Sequence, residues 1–149
     1  MDYSVISLSG QNLGDDLREV SVALSRGLQN SELYLGSNNI TSSGAIILAK
    51  TLSANKEVRK IYLGINKIDD TGAHAFAEML KYNKCLEKLI LSSNQITLDG
   101  ARALQQSLET NSSLVSLDIS NNCILDYEHS ETYARIQKQL KTNRLHKRW

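Results

Sequence analysis

The sequence predicts an α/β solenoid, a stack of repeated strand–helix units, and three observations lead to this prediction. First, residues of the same type recur every 28 positions, as in the series Asn38, Asn66, Asn94 and Asn122. Second, each period contains a short alternation around aliphatic residues such as Leu33 and Leu35, which is typical of a half-buried strand. Third, apolar residues at helical spacing follow, as at Ala45, Leu48 and Leu52. Because one such unit cannot bury its apolar face alone, the units must stack on each other.

The composition fits an ordered chain without a general affinity for nucleic acid or lipid. Of 149 residues, 41% are hydrophobic and 22% charged, and the formal net charge is +1. There is no apolar run of about 18 residues to span a bilayer, and the N-terminus lacks the basic start of a signal peptide. Cys85 and Cys123 stand far apart outside any CxxC pair, so we expect reduced thiols. These features predict a cytoplasmic protein, with delivery into a host cell left open for a bacterial source.

The residues inside each period predict where strands and helices end. Each strand should end at the asparagine of the series, whose amide both donates and accepts hydrogen bonds and would form a ladder through the stack. The helices are expected to begin at residues of N-cap type directly before a Gly-Ala pair, namely Ser43, Thr71 and Asp99. They are expected to stop at asparagines, which tolerate a left-handed backbone: Asn55, Asn83, Asn111 and, in the last unit, Asn143.

The unit LxxLxLxxNxIxxxGAxxLxxxLxxN resembles the 28-residue leucine-rich repeat of the ribonuclease-inhibitor-like class. The resemblance implies a right-handed solenoid shaped as a short horseshoe, with a parallel sheet on its concave face and helices on its convex face. It is strict over residues 33–124 and loosens at both ends, where Gln11 occupies the first asparagine position after a spacing of 27 and the last unit inserts four residues.

We therefore expect one domain over residues 1–149, with a capping repeat (1–31), three regular repeats (32–113) and a capping repeat with a basic helix (114–149). The initial Met1 and the atypical end units favour a complete small protein over a fragment.

No catalytic or metal-binding motif stands out from the repeats. Asp70-Thr71-Gly72 spells the D-T-G of an aspartic protease, but neighbouring units have Ser42-Ser43-Gly44 and Leu98-Asp99-Gly100, so a helix start is expected. The three histidines, His74, His129 and His146, show no ligand spacing. Relatives with this type of repeat include an activator of a small GTPase that uses a loop arginine, but neither Arg59 nor Arg102 lies in a matching motif. We expect no enzymatic activity, no cofactor and no metal.

The outward face of the sheet is the predicted binding surface. Since the leucines point inward, the residues between them point outward in columns. The residues expected to contact a protein partner are Glu32, Tyr34, Lys60, Tyr62, Lys88, Ile90 and Asp118. Tyrosines are common interface anchors because they combine an apolar ring with a polar tip. The alternative is that Tyr34 and Tyr62 only stack and stabilise neighbouring strands.

The predicted function is a non-enzymatic protein–protein interaction by a chain that is monomeric by default. Three alternatives stay open: a regulator that inhibits or activates a partner enzyme or small GTPase, a host-directed bacterial effector or adaptor, and a purely structural module. Neither a membrane nor a nucleic-acid partner is the expectation.

The basic tail is expected to be the solvated side of a capping helix, with Ile136 and Leu140 on its core side. Its basic residues are Arg135, Lys138, Lys141, Arg144, Lys147 and Arg148. The open alternative is that this tail binds an acidic surface of nucleic acid, phospholipid or protein.

Overall fold

The computed structural model describes residues 5–27, 31–124 and 127–147 and contains a five-stranded sheet in chain order. The strands are Val5–Ser7 (β1), Ser31–Tyr34 (β2), Val58–Tyr62 (β3), Lys88–Ile90 (β4) and Ser116–Asp118 (β5). The helices are Arg18–Ser25 (α1), Ser42–Ser53 (α2), Asp70–Tyr82 (α3), Leu98–Ser107 (α4) and Tyr127–His146 (α5). All neighbouring strands are parallel. The predicted alternation of strands and helices around a parallel sheet is therefore confirmed.

The core lies between the sheet and the layer of helices. Leu33, Ile61 and Leu89 occupy the same position in β2, β3 and β4 and are fully buried. Leu52 of α2 and Leu80 of α3 are buried in the same cluster. Each repeat therefore completes its core with side chains of the next, which is the expected energetics of a solenoid.

The N-caps of three helices lie two residues before the positions that the sequence predicted. Their N-caps are Thr41, Asp69 and Thr97, all with extended backbone. Each cap accepts a hydrogen bond from the backbone N–H two residues later, so the predicted caps Ser43, Thr71 and Asp99 are donors instead. The prediction was wrong because several consecutive residues are of cap type, and only the backbone conformation selects among them.

The prediction of left-handed asparagines after the helices is also wrong. None of Asn55, Asn83 and Asn111 has a positive φ, and α5 continues to His146, past Asn143. These asparagines have another role. The side-chain Nδ2 of Asn83 donates to the carbonyls of Leu52 and Asn55.

The side-chain oxygen of Asn83 binds the backbone just after the helix. Its Oδ1 accepts from the backbone N–H groups of Cys85 and Leu86. Asn111 donates in the same way to the carbonyls of Leu80 and Asn83, and Asn143 to those of Asn111 and Leu114. The helix ends thus carry a second asparagine ladder, which satisfies carbonyls that a helix end would leave without partners.

The two ends of the stack are covered to different extents. At the C-terminal end, α5 buries Ile136 and Leu140, as their spacing predicts. Its last turn is tied to the sheet by a 2.8 Å hydrogen bond from Arg144 Nε to the Val115 carbonyl. At the N-terminal end, Leu8 and Leu13 are only half-buried. Arg148, one of the basic residues of the tail, lies outside the described residues. None of the described helices is long and apolar enough to cross a bilayer.

Candidate protein-binding face

The sheet face that points away from the helices presents two adjacent columns of side chains, which together we call the outer face. The strand register aligns Val5, Glu32, Lys60, Lys88 and Ser116 in one column. It aligns Ser7, Tyr34, Tyr62, Ile90 and Asp118 in the other. All seven residues predicted to contact a partner therefore lie on one continuous face, and each is half-buried.

A tyrosine stack occupies the middle of the outer face. The rings of Tyr34 and Tyr62 are stacked with their centroids 4.3 Å apart and their planes 4° from parallel. The ammonium of Lys88 lies 5.7 Å from the Tyr62 ring centroid, within the range of a cation–π interaction. The stack and the lysine therefore form one connected group across β2, β3 and β4.

Glu32 fixes the polar side of this group. Lys60 Nζ donates to Glu32 Oε1 at 2.6 Å, and the Tyr34 hydroxyl donates to Glu32 Oε2 at 2.9 Å. The hydrogen bond from Lys60, with that from Tyr34, lowers the pKa of Glu32. The same ion pair raises the pKa of Lys60. The pKa of Tyr34 is raised because its hydroxyl bonds to Glu32 and lies near Tyr62. At neutral pH, Glu32 is therefore ionised and its charge is already paired.

Lys88 and Ile90 of β4 lie beside the tyrosine stack on the outer face. Lys88 has no carboxylate within ion-pair distance among the described residues, although the charge of Glu32 is near enough to interact with it. Ile90 follows Tyr62 in the same column and extends its apolar surface. Asp118, next in that column, accepts from the backbone N–H of Ser120. Beside the tyrosine rings, β4 thus contributes one aliphatic side chain and one cation with no carboxylate within ion-pair distance among the described residues.

Buried asparagines hold the loops that follow the strands. Asn66 Oδ1 accepts from the backbone N–H groups of Asn38 and Ile40, and its Nδ2 donates to the carbonyls of Leu35 and Leu63. Equivalent bonds are made by Asn38, Asn94 and Asn122. Gln11, in the first asparagine position, is exposed and its side chain turns to the carbonyl of Ser9. These amides serve the architecture and leave the outer face to other residues.

The D-T-G sequence belongs to a third set of contacts between repeats. Asp70 Oδ1 accepts from the backbone N–H groups of Thr97 and Gly100, at 2.7 and 3.0 Å, and so caps the start of α4. Ser42 and Asp15 cap α3 and α2 in the same way. Sequence reasoning missed this role, although the signal is present as a polar residue two positions before each Gly of α3 and α2. Within the described residues, no group of three or more His, Cys, Asp or Glu side chains is placed to hold a metal.

Comparison with known proteins agrees with this architecture. A sequence profile described as "Leucine Rich repeat" matches residues 31–49, 82–104 and 110–126, which carry the strand and asparagine units. The chain is a leucine-rich repeat protein. Its helices and 28-residue period are those expected of the ribonuclease-inhibitor-like class. No relative of this leucine-rich repeat protein is found among curated protein sequences.

Solved structures share the fold of this leucine-rich repeat protein. One is that of "Leiomodin-1 Actin-Binding Site 2 (ABS2)"; it is 17% identical, with a TM-score of 0.79 over 97% of this chain and 84% of that chain. Another is the tropomodulin C-terminal domain from Caenorhabditis elegans, 13% identical, with a TM-score of 0.76 over 99% of this chain and 87% of that chain. At these identities the likeness establishes the fold alone.

Proposed function

We propose that this leucine-rich repeat protein binds a protein partner through its outer face, without catalysis and without a cofactor. The observation that carries the proposal is the tyrosine stack, which is half-exposed and fixed by Glu32 and Lys60. Side chains that are already ordered lose little conformational entropy on binding, and tyrosines are frequent binding hot spots.

A purely structural role for the stacked tyrosines explains only some of the residues on the outer face. It explains why Tyr34 and Tyr62 adjoin, since cross-strand aromatic pairs stabilise a sheet. It gives no reason for Ile90 to extend the apolar column, or for Lys88 to lie beside the stack with no ion-pair partner in the described part of the chain. A partner that brings an apolar group and a carboxylate would satisfy both residues.

Actin is the first partner to test. The leiomodin-1 structure is named as an actin-binding site, and that structure and this chain cover most of each other. The low identity transfers no contact residue, so the outer face and the actin hypothesis stand on separate grounds. The two can therefore fail separately.

The size of the outer face limits the affinity it supports alone. Five strands spaced by about 4.8 Å give a strip of roughly 24 Å by 12 Å, or about 300 Å². A standard interface buries about 800 Å² on each partner. Neighbouring loops must therefore join the contact, or the affinity is modest.

The test uses purified monomeric and filamentous actin with three forms of the chain: wild type, the double variant Tyr34→Ala/Tyr62→Ala, and Tyr82→Ala as control. Tyr82 is 66% exposed at the end of α3, outside the strands. We expect wild type and Tyr82→Ala to bind equally and the double variant to bind at least about tenfold more weakly.

Absence of wild-type binding to both forms of actin would exclude actin only. The same three proteins are then used as baits in a cell lysate, with captured proteins identified by mass spectrometry. If wild type and the double variant capture the same set, the outer face is not the binding site.

A further inference from the structure

Ile65 combines two unfavourable features in one exposed loop. Its backbone has φ of +56°, in the left-handed region that a β-branched residue rarely adopts. It is 65% exposed, more than any other valine, leucine or isoleucine in the described part of the chain. Both features cost stability, so the folded state gives no reason for isoleucine at this position.

The fold requires the left-handed backbone here but does not require isoleucine. The equivalent positions in the other units also have positive φ: Gly10, Ser37, Ser93 and Asn121. The conformation is imposed by the ladder, because the Ile65 N–H donates to the Ser92 carbonyl and the next residue, Asn66, must turn into the core. Glycine, serine or asparagine meets that requirement with less strain than a β-branched side chain.

The loop that contains Ile65 also carries a charge that has no partner among the residues that the structure describes. The loops that follow β2 to β5, residues 36–39, 64–67, 92–95 and 120–123, contain a single charged residue, Lys67. Its side chain is exposed and has no hydrogen-bond or ion-pair partner among the described residues. The next acid along the chain, Asp69, is engaged by the Ser42 hydroxyl and the Thr71 N–H.

Ile65 lies next to the outer face, because the backbone hydrogen bonds of the sheet continue into its loop. Backbone hydrogen bonds between the third and fourth repeats continue beyond the strands, from Leu63 N–H to the Ile90 carbonyl and from Ile65 N–H to the Ser92 carbonyl. Ile65 therefore lies just beyond the carboxyl end of β3, three residues after Tyr62. This is where the small outer face needs additional contact area.

We propose that Ile65 and Lys67 form a second part of the binding surface, which takes a protein partner presenting an apolar pocket with a carboxylate at its rim. The pocket accepts the Ile65 side chain, and the carboxylate pairs with Lys67. The inference rests on the proposed function, since the same partner would cover Tyr62 and Ile90. It predicts that removing isoleucine changes stability and binding in opposite directions.

The first measurement is thermal unfolding of Ile65→Asn, which installs the residue found at the equivalent Asn121. We expect the midpoint to rise by about 2–4 °C, because asparagine tolerates the left-handed backbone and an exposed apolar side chain is removed. A lower midpoint than wild type would show that Ile65 is needed for folding and would overturn the inference.

The second measurement uses a random peptide library displayed on phage, selected on the immobilised wild-type chain. Enriched peptides are expected to contain a cluster of apolar residues and an acid, and to bind Ile65→Asn at least about tenfold more weakly. The control is Ile47→Ala, which removes a 42% exposed isoleucine from α2 and should leave binding unchanged. Failure to obtain any peptide that distinguishes wild type from Ile65→Asn would overturn the inference.

Two further outcomes distinguish the Ile65 loop from the tyrosine stack, and a different protein from a second copy of the chain. Peptides that lose binding to Tyr62→Ala but keep it to Ile65→Asn would support the outer face and overturn the role of Ile65. Self-association of the wild-type chain that Ile65→Asn abolishes, measured by analytical ultracentrifugation, would identify a second copy as the occupant and overturn the assignment to a different protein.

Discussion

At the scale of single residues, the stability of the stack depends on buried amides that connect neighbouring units. Asn66 accepts from two backbone N–H groups and donates to two carbonyls, one of which, that of Leu63, also accepts from Asn94. We expect Asn66→Ala to lower the free energy of unfolding by at least about 3 kcal/mol, because each buried group left without a partner costs about 1–3 kcal/mol.

The matched control is Asn122→Ala at the end of the same ladder. Asn122 makes similar bonds but is half-exposed, so water replaces part of what is lost. Its expected cost is about 1 kcal/mol, measured for both variants by urea denaturation at pH 7. Equal costs would show that burial does not set the strength of the ladder.

The ion pair on the outer face predicts a specific pH dependence. The pKa of Glu32 is lowered in the folded state, chiefly by the hydrogen bond from Lys60. A carboxylate with a lowered pKa stabilises the fold above its unfolded pKa, and this contribution is lost as pH falls through the folded pKa. The wild-type advantage over Glu32→Gln should therefore be full at pH 7 and shrink below about pH 4.

The check is urea denaturation of both proteins from pH 7 to pH 3, with Glu109→Gln as control. Glu109 accepts a hydrogen bond from Gln105 and has no cation within ion-pair distance among the described residues. A constant difference between wild type and Glu32→Gln across this range would contradict the role of the ion pair. The raised pKa values of Lys60 and Tyr34 predict a second loss of stability above about pH 10, because both groups deprotonate at a lower pH in the unfolded chain than in the folded protein.

At the scale of elements, the starts of α2, α3 and α4 are each built by two repeats. Asp70 caps α4 from the preceding helix, and Gly100 leaves room for it, since a Cβ at Gly100 would come 2.5 Å from Asp70 Oδ1. We expect Asp70→Ala to cost about 1–2 kcal/mol and Gly100→Ala about 3 kcal/mol. The double variant should cost less than the sum, because alanine at position 70 removes the oxygen that the new Cβ meets.

The control for this cycle is Asp99→Ala, an acid of the same helix start whose side chain is 73% exposed and pairs with His74. Its expected cost is at most about 0.5 kcal/mol. Urea denaturation of the four variants gives the coupling between positions 70 and 100. Additive costs would show that the glycine is required by its other neighbours, Ile96 and Ala73, alone.

The sequence predicts those features that recur every 28 residues and fails for those that depend on local backbone conformation. The 28-residue recurrence predicts the strands, helices and buried columns, because the same apolar positions face the core in every unit. It predicts the outer columns, because side chains alternate along a strand. Caps were misplaced because Thr41, Ser42 and Ser43 are all cap types and the choice depends on backbone conformation.

The residues with a left-handed backbone were also predicted at the wrong positions, for a related reason. The residue type suggested Asn55, Asn83 and Asn111, but the fold imposes positive φ where the chain turns into the first ladder, even on Ile65. Nothing in the local sequence of Ile65 predicts this conformation. Such a conflict between residue and backbone becomes visible only in the structure, which is why the loop was absent from the predicted site.

At the scale of the whole molecule, the stack is covered unequally at its two ends. β1 and β5 each have one neighbouring strand, but at the N-terminal end Leu8 is half-buried and α1 has eight residues without a side-chain N-cap bond. At the opposite end, Leu140 of α5 is fully buried. Because repeats contact only their neighbours, opening should start at the N-terminal unit.

Four equivalent amides report this gradient. The N–H groups of Leu8, Leu35, Leu63 and Leu91 each donate to a carbonyl of the next strand, at 2.9, 2.8, 2.8 and 2.7 Å. In hydrogen exchange followed by NMR, we expect Leu8 to exchange at least about tenfold faster than Leu63, despite nearly equal bond lengths. Leu140→Ala, which loosens the C-terminal cap, should speed exchange at Leu91 more than at Leu35. Equal protection of all four amides in the wild type would instead mean that the chain opens as one cooperative unit.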